Sequence, residues 1–340
     1  MKAIVYSETG GPEVLRLVER PVPQPGPGEV RVRVQLSGVN PTDWKSRAGN
    51  GPGQPARFPE VVPNQDGAGV IDAVGAEVES LRPGDRVWIW EAAWQRADGT
   101  AQQFVVLPAE RAIPLPEDAS FELGASLGIP ALTAHRCLTV AEGGPSRLAP
   151  AALAARTVLV AGGAGAVGHA AIQLARWAGA IVIATVSSAE KGELARRAGA
   201  HHVVNYRESD AATAIREIAP DGVHLVVEVA PGPNAELDAA VVAPHASVAI
   251  YANNGGGEVT LPIRAHMNHN TRFQFVLVYT EPAAAKRDAL AAVSQAVADG
   301  ALPVGEQAGL PLHRFGLADT AKAHAAVEAG VTGKVLIDLW

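Results

Sequence analysis

Glycines 163, 165 and 168 stand in the spacing Gly-x-Gly-x-x-Gly within VLVAGGAGAVGHAAIQLARWAGAIVIATVSSAEK, residues 158–191. Glycines so spaced permit a tight turn, let the backbone approach a pyrophosphate, and let a helix begin close against a strand. The unpaired N–H groups and positive dipole end of that helix then face the phosphates. The apolar run Thr157 to Ala161 comes just before, and in the segment Val167 to Ala178 that follows, Val167, Ala171, Leu174 and Ala178 recur on one helical face. A glycine-rich turn that holds nothing needs no such context. Strand, loop, helix and second strand in register read as a dinucleotide-binding βαβ unit.

The end of the second strand bears on the choice of cofactor. In units that take NAD, an Asp or Glu about 20 residues beyond the glycines accepts hydrogen bonds from the adenosine ribose, and its charge repels a 2′-phosphate. This strand ends Thr185-Val186-Ser187-Ser188, and the first acid, Glu190, comes late and is followed at once by Lys191. Two hydroxyls and an ammonium suit a phosphate dianion, so NADPH is the expected cofactor. If Lys191 is instead a solvated helix residue, the choice stays open.

Metal-assisted alcohol oxidation would need soft ligands for zinc. The one cysteine, Cys137, falls in the helical stretch ALTAHRCLTV, and the spaced pair His266-x-x-His269 has no nearby acid or thiol to finish a tetrahedron. No metal is expected. Hydride chemistry without one favours acceptors that are already electrophilic, such as quinones or enones. Asn40 is the first candidate donor to a substrate oxygen, and capping of the turn before Pro41 explains it equally well. Lys45 would supply charge or a proton if desolvation lowers its pKa, or else is simply exposed. His266 and Asn268 are further candidates to reach the pocket, and the closing proton is left to water.

These residues must be positioned by more than one core. The 340 residues are 48% hydrophobic and 19% charged, enough for two domains of ordinary size. A net charge of -7 and the lack of a basic stripe argue against nucleic acid as a partner. No run of 18 apolar residues occurs and the start, MKAIVYSETGG, lacks the character of a signal segment, so neither a membrane nor secretion is expected. A single cysteine fits a reducing cytoplasm.

To about residue 122 the pattern is strands and turns: KAIVYS, EVLRLVE, and EVRVRVQL with Val30, Val32, Val34 and Leu36 alternating on one face. Gly and Pro punctuate it at residues 25–29, 49–55 and 82–86, as in an all-β, barrel-like domain. From residue 123 to about 300, alanine-rich helices alternate with apolar strands at TVLVA, IVIATV, HVV, VHLVVEVA, SVAIYA and FQFVLVY. This predicts a parallel sheet covered on both faces. APAALAAR, before Thr157, reads as an extra helical turn. A helix around Ala318 to Ala329 and a strand KVLIDL close the chain, and pattern alone does not say which domain receives them.

SGVNPTDWKSRAG (37–49), the AGV and IDAVG region (68–75), RPGDRV, GIPALTAHR (128–136), the glycine loop, VVNYRE (203–208) and GKVLIDL occur in this order. Together they make the chain resemble the zeta-crystallin-like quinone oxidoreductases, the zinc-independent branch of the medium-chain dehydrogenase/reductase superfamily. The resemblance covers nearly the whole chain. It implies an α/β protein in which a GroES-like β-barrel-type catalytic domain (1–122 and 301–340) is joined to a doubly wound Rossmann domain (123–300). It also implies NADPH in the cleft and a homodimer through the Rossmann sheet edge.

Carried over by position, the resemblance places Gly163, Ala164, Gly165, Ala166, Val167 and Gly168 along the pyrophosphate. Ser187 with Ser188, Lys191 and Tyr206 fall at the 2′-phosphate. Tyr251, Ala252, Asn253 and Asn254, with Val276, Leu277 and Val278, line the cofactor, and Asn40 and Asp43 lie beside the nicotinamide. Zinc-dependent relatives carry cysteine where Ser37 or Asn40 stands and a His-Glu pair where Gln65-Asp66 stands. Two tyrosines frequent in the family are replaced here by Lys45 and the loop Gly49 to Pro55, which leaves the substrate less defined than the cofactor, although Trp44 offers aromatic surface. Three activities fit: a quinone reductase, a reductase of α,β-unsaturated carbonyls, and a non-catalytic NADPH-binding regulatory or structural protein.

Overall fold

Val30, Val32 and Val34 point to one side of the strand Glu29–Val39 and are wholly buried, as alternation requires. A register shift after Val34 places the expected fourth member, Leu36, in a separate cluster with Ala68, Ala125 and Leu336. This computed structural model describes residues 1–340, and the chain divides into two units, 1–129 with 311–340, and 130–310. In the first unit the strand Glu29–Val39 organises a seven-stranded sheet. It pairs antiparallel with Asp66–Val74, with Phe104–Pro108 and with the closing strand Lys334–Asp338. The register sets Val335 against Val39 and Ile337 against Ser37, so the end of the chain completes the sheet begun at its start. Val30, Val32 and Val34 pack with Ile4, Ile71, Val87, Leu107 and Ile337. Burial of each such side chain contributes about 1.5–3 kcal/mol.

The helix Pro41–Ala48 leaves the end of the long strand. Pro41 presets its first turn, and the Asp43 carboxylate turns back to accept from the Asn40 N–H at 2.7 Å, half of a capping box. It ends at Gly49, whose φ of 58° is the left-handed conformation that favours glycine.

The second unit holds six strands, all parallel: in spatial order His202–Asn205, Ile181–Val186, Thr157–Ala161, Val223–Glu228, Val242–Ile250 and Arg272–Phe275. By chain order this is 3-2-1-4-5-6, the doubly wound Rossmann arrangement, with its switch point between Thr157–Ala161 and Val223–Glu228. The apolar runs Val158–Ala161 and Val182–Val186 are buried throughout, as strands covered on both faces must be. No helix of the chain is long and apolar enough to cross a membrane.

Two sequence expectations differ from the structure. APAALAAR forms successive turns rather than a helical one, with Ala151 and Ala155 left-handed at φ 64° and 61° and Leu153 N–H donating to the Ala178 carbonyl. The strand expected over FQFVLVY stops at Phe275. Its neighbour ends at Ile250, whose carbonyl accepts from Val276 N–H, while Tyr251 N–H turns away to the Glu228 carbonyl, so no partner remains beyond residue 276.

Candidate functional site

A parallel sheet of this topology offers its ligand crevice at the carboxyl ends of the strands. The predicted cofactor residues collect there. Gly163 to Gly168 follow the first strand in chain order, Ser187 to Lys191 the second, Tyr206 the third, Tyr251 to Asn254 the fifth, and Val276 to Val278 the sixth. The fourth strand ends on Glu228, which sequence reasoning missed. It is fully buried, accepts from the Ala230 N–H and the Asn234 amide, and is pushed above the ordinary glutamate range by burial.

The glycines differ in what they do. A Cβ on Gly168 would lie 2.4 Å from the Gly162 carbonyl oxygen, and one on Gly163 would lie 2.8 Å from Ala184 Cβ, so these two keep the helix against the sheet. A Cβ on Gly165 would meet only one atom, at 3.5 Å, because this glycine borders open space. Gly165 begins the helix Ala166–Trp177 with no side-chain cap, which leaves the first-turn N–H groups of Ala166, Val167 and Gly168 without acceptors. Unpartnered N–H groups at the positive end of a helix are an anion site.

Beyond the second strand, Ser188 caps the helix Ala189–Arg197, accepting from Lys191 N–H at 3.3 Å while its hydroxyl faces Glu190 at 3.2 Å. Ser188 is thus engaged with the helix. The Lys191 ammonium donates to the Ser187 hydroxyl at 3.3 Å, and Tyr206, half exposed, is tied through its N–H to the Val186 carbonyl next to Ser187. Ser187, Lys191 and Tyr206 are therefore brought together at one corner of the sheet.

The first unit holds a second polar cluster. Asn40 and Asp43 are both 3% exposed. The Asn40 carbonyl oxygen accepts from the Lys334 ammonium at 2.7 Å and its amide nitrogen donates to Asp66 at 2.6 Å. Asp66 also accepts from the Ile129 N–H, and its carboxylate lies 3.6 Å from Lys334 Nζ. Burial raises the Asp66 carboxyl and lowers the Lys334 ammonium, and the charge of each draws the other back. Asp43, bonded to Asn40 N–H but with its other oxygen unpartnered, is raised to about 8, chiefly by burial. Lys45 lies outside this cluster, on the helix surface, its ammonium 5.8 Å from the Trp44 ring centroid. His266 packs edge-on against Phe273, ring centroids 4.8 Å apart.

Zinc does not fit these residues. Ser37 is bonded to Thr100 and Asn64, Asn40 and Asp66 already enclose an ammonium, and no three His, Cys, Asp or Glu side chains converge in a metal-holding group.

Residues 26–117 match the family described as Alcohol dehydrogenase GroES-like domain, and residues 166–295 that described as Zinc-binding dehydrogenase. Over 261 residues the chain is 34% identical to the quinone oxidoreductase of Rattus norvegicus, covering 76% of this chain and 75% of the relative. The chain belongs to the quinone oxidoreductase family of medium-chain dehydrogenases/reductases. As a member of that family it is an oxidoreductase. Among solved structures it is similar to an NAD-dependent alcohol dehydrogenase (TM-score 0.85, 30% identity, 100% of both chains). It is also similar to the Escherichia coli quinone oxidoreductase complexed with NADPH (TM-score 0.79, 26% identity, 99% of this chain and 100% of that one). These quinone oxidoreductase and alcohol dehydrogenase neighbours are named for different nicotinamide cofactors, so the residues at the second strand end matter for the choice.

Proposed function

We propose that this member of the quinone oxidoreductase family reduces small quinones with NADPH and without a metal. The observation that carries the reading is the Lys191 ammonium beside the Ser187 hydroxyl where an NAD site would present a carboxylate. When bound, NADPH supplies a hydride. The N–H groups of Ala166, Val167 and Gly168 hold the pyrophosphate, and Ser187, Lys191 and Tyr206 hold the 2′-phosphate. Tyr251 to Asn254 and Val276 to Val278 line the remainder. In the first unit, the Asn40 amide has one N–H beyond the one given to Asp66, and that N–H meets the negative charge gathering on the acceptor's oxygen. Asp43 fixes the Asn40 backbone, and Lys45 is a surface cation toward incoming acceptors.

Following NADPH oxidation with a panel of quinones and α,β-unsaturated ketones tests the acceptor class. The expected result is a kcat/KM for 9,10-phenanthrenequinone at least tenfold above that for any enone. A reversed order would make the chain an alkene reductase, and binding without turnover would make it a non-catalytic NADPH-binding protein.

We further propose that two chains pair through the strand Arg272–Phe275. It has a neighbour on one side only, and Phe275 and Leu277 nearby are 66% and 54% exposed, a patch that a second copy would cover. Sedimentation equilibrium should give twice the 35.1 kDa chain mass, and a single-chain mass would refute the pairing.

A further inference from the structure

Lys334 opens the closing strand and is 2% exposed, a charge that folding places deep inside the first unit. Such a burial needs a compensating site, and one is built around it. Asp66, fully buried, supplies the opposing charge at 3.6 Å, and the Asn40 carbonyl oxygen takes a hydrogen bond at 2.7 Å. Glycines make the room: a Cβ on Gly38 would press on Lys334 Cε and Nζ at 3.1 and 3.2 Å, and one on Gly128 would fall 2.0 Å from Asp66 Oδ1. The Ile129 N–H anchors the carboxylate from the far side.

The consequence concerns Asn40. A primary amide is nearly symmetric in shape and can rotate by half a turn, exchanging its acceptor for its donors. Here rotation would bring the NH2 group against an ammonium and the carbonyl against a carboxylate, two repulsions in place of two attractions. The charges on either side therefore encode one orientation.

We propose that Lys334, held by Asp66, is a positioning residue that locks the Asn40 amide with its N–H side presented to the acceptor's oxygen. The catalytic part of this inference rests on the proposed role of Asn40 as donor. Without the lock, the amide samples the reverse orientation and meets a developing oxyanion with a carbonyl oxygen, which repels it.

The single substitution Lys334→Met would leave Asp66 buried and unpaired and threaten folding, so the informative variant is Lys334→Met with Asp66→Asn, which removes both charges. Lys334→Arg, which retains the cation, is its companion. Asparagine-selective 15N labelling, with Asn40→Leu to assign the signal, reads the side-chain amide directly and requires no turnover. The wild type should show one slowly exchanging Asn40 amide pair, and the double variant two pairs or one averaged, fast-exchanging pair.

In steady state the double variant should melt cooperatively and bind NADPH as the wild type does, while kcat falls about 10- to 100-fold. Lys334→Arg should recover most of that loss. A folded double variant with wild-type kcat and one protected amide pair would overturn the proposal and leave the ion pair a purely structural feature. If the wild type binds NADPH but reduces no acceptor, the functional reading fails, and the amide spectrum still decides whether Lys334 sets the orientation.

Discussion

Charge reversal at Lys191 should lower kcat/KM for NADPH by about 10²- to 10³-fold and leave that for NADH unchanged or raised. The ammonium sits 3.3 Å from the Ser187 hydroxyl at the carboxyl end of the second strand, and the first carboxylate of the segment, Glu190, faces the capping hydroxyl of Ser188. A charge-assisted hydrogen bond to a phosphate contributes about 1.5–3 kcal/mol, and a carboxylate in its place adds repulsion; each ~1.4 kcal/mol is tenfold. Lys191→Glu is thus expected to produce what the strand end lacks by sequence, an acid able to take the ribose hydroxyls. Initial rates with both cofactors, for the wild type and this variant, measure the effect. Equal losses with NADPH and NADH would mean that Lys191 acts on the fold or on both cofactors alike.

Acidification from about pH 6.5 to pH 4 should remove the stability that depends on buried neutral histidines. Three histidines are buried as neutral rings: His135 and His169, each lowered to about 4, and His324, lowered to about 3, all chiefly by burial. Each uses its ring in a fixed way. His135 accepts from the Leu148 N–H, His169 bonds the Ala308 carbonyl at 2.8 Å, and His324 bonds the Asn64 side chain at 2.9 Å. In the unfolded chain they take up protons near pH 6.5, so below that pH the unfolded state binds more protons and is favoured. Stability is fully present above pH 6.5 and is lost as pH falls toward 4. A drop from 6.5 to about 4 corresponds to ~3 kcal/mol per ring, against a total stability of about 5–15 kcal/mol.

Buried carboxyls run the other way: burial raises Asp66, Glu228 and Asp238, and with them Asp43. Asp43, raised to about 8, disfavours the fold progressively as pH rises from about 4 to 8, so the stability maximum is expected near neutrality rather than in the alkaline range. Urea unfolding at a series of pH values measures both trends. His169→Gln, which keeps a donor for the Ala308 carbonyl and cannot titrate, should remove about a third of the acid loss. The same pH dependence from 7 to 4.5 in the wild type and in His169→Gln would contradict this account.

Much of the second unit is legible in the sequence because its signals are local. The glycine spacing, the strand before it and the apolar face after it lie within about 20 residues, strand-helix alternation predicts the parallel sheet, and its doubly wound order is what the family resemblance implies. The extent of the last strand is not legible: FQFVLVY is apolar from Phe275 onward, and only the end of its neighbour at Ile250 decides that the ladder stops at Phe275. Ala151 and Ala155 mislead for a related reason, since alanine's helix propensity is overridden by a chain that must bring Leu153 to the Ala178 carbonyl. The polar cluster of the first unit is the largest omission. Asn40, Asp66 and Lys334 are scattered from one end of the chain to the other, and their meeting depends on the pairing of the first long strand with the last. The one available signal is indirect: a lysine directly before the apolar run Val335 to Ile337 in GKVLIDL.

Equilibrium titration of the wild-type chain with NADPH and with NADH, followed by the nicotinamide fluorescence, tests the central claim most directly. The arrangement of Ser187, Lys191 and Tyr206 predicts that NADPH binds at least tenfold more tightly and that added salt narrows the gap, as expected for a charge-held phosphate. Equal affinities at every salt concentration would contradict it and return Lys191 to the solvated face of its helix.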